Sequence, residues 1–523
     1  MSAHALQFLV PRRIGRKRIR ALLLELGAEH AAPRSSVQRT WYDTFDWRLY
    51  RHQRALLGEP EGKHKRLTYS DRNGATVRAR TLAAPEARFV RELPRGTLRD
   101  ALAPLIKTRV LLAQVLQTGR TEPLLLRNPN EKTVLRLALE DLEVTTPGHN
   151  ATHRLQCVRL DPVRGYAGVL RRVQRTLQSE SLEPLPEGLL GHALALLGIE
   201  PEQYTGKVMV TLTPDMRADE ATRSLLRELL GIMYANEAGV IAGLDSEFLH
   251  DFRIAVRQSR TLLGLMKRVF PQRTVQRFRV RLAWLGQLTG PTRDMDVYLL
   301  KFPAYQSTLP AAVRPDLEPL REFLQHQQRG EHTRLAKSLR SARYAKLAQD
   351  WEEFLQMPAP VNTRLANAAR PILAVANERI WRTYRGVMRH GKAISDDSPA
   401  AVLHDLRKRC KKLRYLLELF YSLYSDRPMK QLIKELKKLQ DVLGDFQDLH
   451  VQISSLGQFA AQMQGQGELT PRTEKAIAVL IEALAQRQAD CRRGFDERFA
   501  RFACKQNRQS FTRLFSAPAQ PLV

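Results

Sequence analysis

The rhythm of apolar and polar positions changes near residue 200. Before it, short runs alternate or stay apolar, as in 4–10 (HALQFLV), 75–82 (ATVRARTL), 133–144 (TVLRLALEDLEV) and 151–161 (ATHRLQCVRLD). Gly, Pro and Asn separate them, the pattern of strands joined by turns. Ile14, Ile19, Leu22, Leu23 and Leu26 have helical spacing, and 165–177 and 186–197 read as helices. Residues 1–200 are therefore expected to form an α+β domain. A stretch rich in Pro, Gly and Thr (198–217) bounds it. From there to about residue 504, long amphipathic runs with short breaks predict eight helices, four in each of two repeats (214–356 and 363–504). Their first members are expected at 218–242 and 364–391. Loops this short favour antiparallel neighbours, hence two bundles. Residues 505–523, ending in SAPAQPLV, are expected to be a tail.

The two repeats are visible as one helix written twice. LHDFRIAVRQSRTLLGLM (249–266) and LHDLRKRCKKLRYLLELF (403–420) share Leu, His, Asp and Arg at their starts and Arg, Leu, Leu and Leu further on. Leu249 matches Leu403, a separation of 154 residues. The same separation aligns 285–294 with 439–448 without a gap. One register over two segments indicates an internal duplication.

On a helical wheel, Arg407, Lys411 and Arg414 fall within about 80° of His404, and Lys408 lies about 40° to the other side. Leu406, Leu413, Leu416, Leu417 and Phe420 occupy the opposite face. His250, Arg253, Arg257 and Arg260 repeat the spacing, and Lys267 extends the row. Such a row is about 15 Å long at the helical rise, so it suits an extended anion better than one phosphate. From His404 to Arg414 a single acid, Asp405, stands among six Lys and Arg. Like charges at these spacings repel, and a bound anion would relieve them. A solvated basic face is the alternative, less favoured because the spacing recurs. His250 and His404 either hydrogen-bond locally at the helix start or donate to the anion. The helix at 429–443 adds Lys434 and Lys438 on a basic face.

Composition narrows the partner. Lys and Arg number 84 against 54 Asp and Glu, a net charge of +30, which points to a polyanion. Nucleic acid, anionic membrane and inorganic polyphosphate all fit charge alone. Four scattered cysteines without a CxxC pair suit a reducing cytoplasm and exclude a cysteine-rich zinc site. No apolar run of about 20 residues is present to span a membrane. Asp294, Asp296, Asp448 and His450 are the nearest candidates to join the His-Asp pairs in a metal site. The surrounding cations argue against it, and helix capping or pairing with a stripe Arg is the expected role of Asp294 and Asp448, which follow helix-breaking Gly290-Pro291 and Gly444.

The segments His250-Asp-Phe-Arg-x3-Arg-x2-Arg260 with Arg293-Asp-Met-Asp-Val297, and His404-Asp-Leu-Arg-x3-Lys-x2-Arg-Tyr415 with Leu439-Gln-x3-Gly-x3-Asp448, resemble the CHAD family (conserved histidine α-helical domain) over about 214–504. The resemblance implies two four-helix bundles related by a pseudo-twofold, polyphosphate binding through basic helical surfaces, and residence at polyphosphate granules. Trp41-Tyr-Asp-Thr-Phe-Asp-Trp-Arg-Leu-Tyr50 resembles the CYTH domain, an antiparallel β-tunnel that acts on triphosphates. Active members open with Glu-x-Glu-x-Lys. Here the matching stretch is Ala3-His-Ala-Leu-Gln7, and Leu155–Leu160 also lacks acids. Without metal-holding carboxylates that chemistry fails, so a degenerate, non-catalytic domain is expected.

The expected function is binding of inorganic polyphosphate in the cytoplasm by His250, Arg253, Arg257, Arg260, Lys267, His404, Arg407, Lys408, Lys411, Arg414, Lys434 and Lys438, with no cofactor or metal. Nucleic-acid binding is the weaker alternative, because aromatics for base stacking are only 7% of the chain. A metal-dependent triphosphate or polyphosphate hydrolase is the third.

Overall fold

The computed structural model describes residues 5–516 apart from 75, 149, 150, 202, 361, 362 and 396. The chain divides into two compact units, 1–206 and 207–523.

The first unit is built on a ten-stranded antiparallel sheet. Its strands are β1 (Leu6–Leu9), β2 (Ala28–His30), β3 (Ser35–Asp43), β4 (Arg54–Glu61), β5 (His64–Asp71), β6 (Val77–Ala83), β7 (Leu112–Arg127), β8 (Thr133–Thr145), β9 (His153–Pro162) and β10 (Glu183–Pro184). They run in the order β10-β1-β9-β8-β7-β3-β4-β5-β6, with β2 beside β7. Five helices accompany them: α1 (Gly15–Glu25), α2 (Arg48–Arg51), α3 (Thr97–Ile106), α4 (Ala167–Ser179) and α5 (Gly188–Leu196).

Strand side chains alternate in direction, and both faces of this sheet are covered. Leu124 and Leu126 of β7 pack with Leu135 and Leu137 of β8 under Ile19, Leu22, Leu23, Val173 and Leu177 of α1 and α4. On the other face Val115, Leu142, Val144 and Cys157 meet Leu189, Leu190, Ala193 and Leu194 of α5. The Tyr-Asp-Thr turn has a clear local cause. The buried Asp43 carboxylate accepts the backbone N–H of Thr44, Leu49 and Tyr50 at 2.7–2.9 Å, tying β3 to α2.

The second unit contains twelve helices among its described residues: α6 (Ala218–Ala242), α7 (Ser246–Leu265), α8 (Gln272–Leu288), α9 (Gly290–Thr308), α10 (Glu318–Leu339), α11 (Ala342–Gln356), α12 (Ile372–Lys392), α13 (Ala400–Leu419), α14 (Asp426–Gly465), α15 (Pro471–Arg493), α16 (Phe495–Phe502) and α17 (Lys505–Phe515). The duplication shows in their starts. Ala218 and Ile372, Ser246 and Ala400, and Gln272 and Asp426 all differ by the 154 residues read from the sequence. Gly243, in the left-handed region at φ 61°, ends α6, and the Asp245 carboxylate caps α7 through the N–H of Glu247 and Phe248. A Cβ on Gly239 would lie 2.3 Å from the Phe248 ring, so this glycine permits the close approach of α6 and α7.

The helical cores do not follow the repeat boundary throughout. Phe302, Leu320 and Phe323 of α9 and α10 pack with Leu456, Phe459, Ile477 and Leu480 of α14 and α15. One cluster therefore takes two helices from each repeat.

Several expected boundaries move. The helix expected at 364–391 starts at Ile372, because Pro371 supplies the extended residue before it. Gly444 does not break its helix: α14 runs unbroken for 40 residues, since neighbours on both sides bury Leu436, Leu443, Leu449 and Leu456. The expected tail contains α17, whose Phe511 and Phe515 are buried against Tyr384 and Tyr424. Its last residues, 517–523, lie outside the described residues, as do Ala3 and His4.

Candidate anion-binding groove

The two stripe helices, α7 and α13, lie against each other. Beside their contact a groove of about 530 Å³ opens between α7, α8 and α13. Arg257 and Arg260 of the first stripe line it together with Lys408 and Lys411 of the second. Lys412 and Arg279 join them, and Tyr415 forms part of the wall. No carboxylate is among the described residues that line this groove. It neighbours a cleft of about 220 Å³ between α7 and α8, which Arg253, Arg257 and Arg260 also line.

The cations are poorly compensated. Burial, followed by the charges of Arg407 and Arg257, pushes the Lys411 ammonium down to about 8, and Asp448 only partly opposes this. The Nε atoms of Arg257 and Arg279 are buried without a hydrogen-bond partner. Lys408 pairs with Asp405 at 2.6 Å, a contact one turn along an exposed helix face. A cluster of like charge, half-buried at Arg257, Arg279 and Lys411 and exposed at Arg260, Lys408 and Lys412, repels itself until an anion enters.

Other stripe residues have internal work. Arg253 donates to the Gly286 carbonyl at 3.0 Å and to the Thr289 hydroxyl at 2.7 Å. Its equivalent, Arg407, pairs with Asp448 at 2.9 Å. Asp294, the equivalent of Asp448, is pushed up by burial, while the charge of Arg253 opposes the rise. Arg253 thereby braces α7 against the α8–α9 junction, and the Arg407–Asp448 pair braces α13 against α14. Asp448 thus has the arginine partner that was one of its two expected roles, whereas Asp294 feels Arg253 and Arg293 as nearby charges.

The histidines lie outside the groove. His250 Nδ1 is 3.0 Å from an Arg293 amino group. Arg can only donate, so this nitrogen accepts and cannot donate to an anion. Position 447, equivalent to Arg293, is Gln, and His404 Nδ1 is buried without a partner. Lys267 does not extend the row, because α7 ends at Leu265 and the backbone carbonyl of Lys267 instead accepts from Asn367. Lys434 and Lys438 lie on α14 and are not among the groove's lining residues; Lys438 pairs with Glu435 at 2.8 Å. Among the described residues no three His, Cys, Asp or Glu side chains come together as metal ligands.

Arg279 and Lys412 escaped the stripe reading. Arg279 belongs to α8, and its equivalent in the second repeat is Ile433, so no recurrence marked it. Lys412 lay within the duplicated helix, but its equivalent Gln258 is uncharged.

The sheet of the first unit also departs from expectation. Acids are present within it. Glu140 of β8 is fully buried and receives two hydrogen bonds of 2.7 Å from Arg39 of β3. Arg159 adds a contact at 3.6 Å. Burial works against both charges of the Arg39–Glu140 pair, but their mutual bonding outweighs it and holds Glu140 below the usual carboxylate range. Gln7, at the position of the family's lysine, accepts the Leu189 N–H at 2.7 Å and so holds the start of α5. The position aligned with a catalytic cation thus serves the covering helix.

Two basic helices, one from each repeat, meet at a groove with no acid among its described lining residues. Residues 224–457 match the CHAD domain family model, so this unit carries a CHAD domain. The crystal structure of the CHAD domain from the plant Ricinus communis is similar over 58% of this chain and 96% of that one, at 26% identity and a TM-score of 0.49. PptA from Streptomyces chartreusis is similar over 54% and 99%, at 18% identity and 0.42. A candidate adenylyl cyclase from Hippeastrum, described as having a dominant triphosphatase activity, is similar over 39% and 100%, at 12% identity and 0.28. The comparison with curated proteins found no match. No described helix is long and apolar enough to cross a membrane.

Proposed function

We propose that the helical unit binds inorganic polyphosphate in the groove between α7, α8 and α13, without chemistry, and that the protein associates with polyphosphate granules. The observation that carries this reading is the convergence of six cations from both repeats on one groove with no acid among its described lining residues. Guanidinium groups match phosphate oxygens in pairs, and lysines add mobile point charges. A flexible chain of phosphates can satisfy such a cluster one unit after another.

Nucleic acid is the second reading. It is less well supported because sequence-tolerant strand binding uses exposed aromatic platforms, and the aromatic of this groove, Tyr415, is only 2% exposed. Catalysis in the first unit is disfavoured because its buried Glu140 is already engaged by two arginines.

The test is titration with long-chain polyphosphate, single-stranded DNA and double-stranded DNA at two salt concentrations, with phosphate release followed in Mg²⁺ and Mn²⁺. Polyphosphate should bind more tightly than either DNA at physiological salt, with an affinity that falls as salt rises. Equal affinities would overturn the reading, and metal-dependent phosphate release would restore the hydrolase.

A further inference from the structure

Helices α6 and α11, which do not line the anion groove, pack against each other and hold an opening of about 450 Å³ between them. Tyr234, Glu237 and Tyr344 line it together with the apolar Ala238, Ile241 and Ala345. The Tyr344 hydroxyl donates to Glu237, and the Tyr234 hydroxyl donates to Glu352 at 3.1 Å. Glu352 also accepts from the Gln356 amide at 3.1 Å.

These contacts are unusual for a chain of net charge +30. Two half-buried carboxylates have phenols and an amide as partners, and among the described residues neither makes an ion pair with Lys or Arg. Burial and the two glutamates raise the Tyr234 hydroxyl to about 12, and burial and Glu237 raise Tyr344 as well, with no cation opposing either shift. Tyr305 and Tyr384, also raised by burial, have Arg487 and Arg508 in opposition.

The duplication shows that the fold does not require this opening. Met388 and Gly391 stand 154 residues after Tyr234 and Glu237. Met388 is buried, and the buried Phe499 ring lies so close that a Cβ on Gly391 would collide with it. The second repeat therefore packs a ring directly on its helix where the first keeps an acid, two phenols and a lined space.

We propose that the space between α6 and α11 binds a linear aliphatic polyamine, one ammonium group held by Glu237 and Glu352 and the methylenes lying along Ala238, Ile241 and Ala345. Carboxylates give such an ammonium charge-assisted hydrogen bonds. The Tyr234 ring, 39% exposed, offers its face to the same charge. The apolar walls reward methylenes and give a hydrated metal ion nothing. Arg340 also lines the opening, so it repels further ammonium groups and leaves them in solvent.

Calorimetric titration of the full chain with spermidine, without polyphosphate, tests this. The wild type should bind saturably at one site. The net charge of +30 repels a polycation elsewhere on the surface, so saturable uptake marks a specific site. Glu237→Gln and Glu352→Gln should each weaken binding by about tenfold or more, with circular dichroism unchanged. Glu237→Gly, which installs the residue of the second repeat, should abolish it. Glu353→Gln, an exposed neighbour on α11, should bind as the wild type does. Mg²⁺ at matched ionic strength should not displace spermidine. Absence of saturable binding by the wild type, equal affinity in the Glu237, Glu352 and Glu353 variants, or displacement by Mg²⁺ would each overturn the proposal.

Discussion

Replacing Lys411 by Met should make the free protein more stable and a poorer anion binder. Lys411 sits where burial and the charges of Arg407, Arg257 and Arg414 all disfavour its ammonium, lowering it from 10.5 to about 8. At about 1.4 kcal/mol per pKa unit, the folded state forfeits about 3 kcal/mol when it holds this proton. Met keeps the unbranched stem and removes the charge, so a gain of about 1–3 kcal/mol at pH 7 is expected, visible as a melting point higher by a few degrees. The pH dependence has a definite sign. Below pH 8 the lysine is charged in both states and the full cost is present. Between about 8 and 10.5 the unfolded chain binds the proton that the folded chain has released, so wild-type stability climbs with pH through that window. Lys411→Met should lack that climb. Thermal and urea unfolding at pH 7 and pH 9.5, with and without tripolyphosphate, measures all of this. Tripolyphosphate should stabilise the wild type more than the variant. A variant less stable than wild type at pH 7 without anion, or one that binds tripolyphosphate equally well, would refute the reasoning.

Three other variants probe the remaining links. Glu140→Gln should destabilise the first unit by about 3–5 kcal/mol, since it leaves Arg39 buried without a full counter-charge; the double change Arg39→Met with Glu140→Leu should recover most of that loss in urea unfolding. Asp43→Ala should cost several kcal/mol, because three backbone N–H groups lose their acceptor at about 1–3 kcal/mol each, again read by urea unfolding. Asp448→Ala should change stability by less than about 1 kcal/mol, its side chain being 47% exposed, while raising anion affinity by freeing Arg407. Equal affinity in wild type and Asp448→Ala would mean that Arg407 serves only the helix pair.

The helical half was the more readable part of the chain. Amphipathic spacing located α6 at 218–242 without error, and the duplicated stripe located α7 and α13. Strands such as β4 and β5, and the helix α3, were not singled out, since short apolar runs with polar interruptions carry little periodic signal. The helix α17 was lost to the compositional pull of the final Pro- and Ala-rich residues, although Phe511 and Phe515 lie four apart on its buried face.

By itself the sequence determined the duplication, its register of 154 residues and the division of each stripe helix into an apolar and a basic face. These follow from covalent order and helical periodicity, which no packing can alter. Only the tertiary structure decided which cations share a space. It brought Arg257 and Arg260 to Lys408 and Lys411, added Arg279 from a helix with no repeat signature, and turned Arg253 and Arg407 inward as braces. It also turned His250 toward Arg293 and buried Glu140 against Arg39. A wheel assigns a direction around one helix axis. Whether a charge pointing that way meets solvent, a carboxylate or another cation depends on what the neighbouring helix presents, and that is set by packing across residues far apart in the chain.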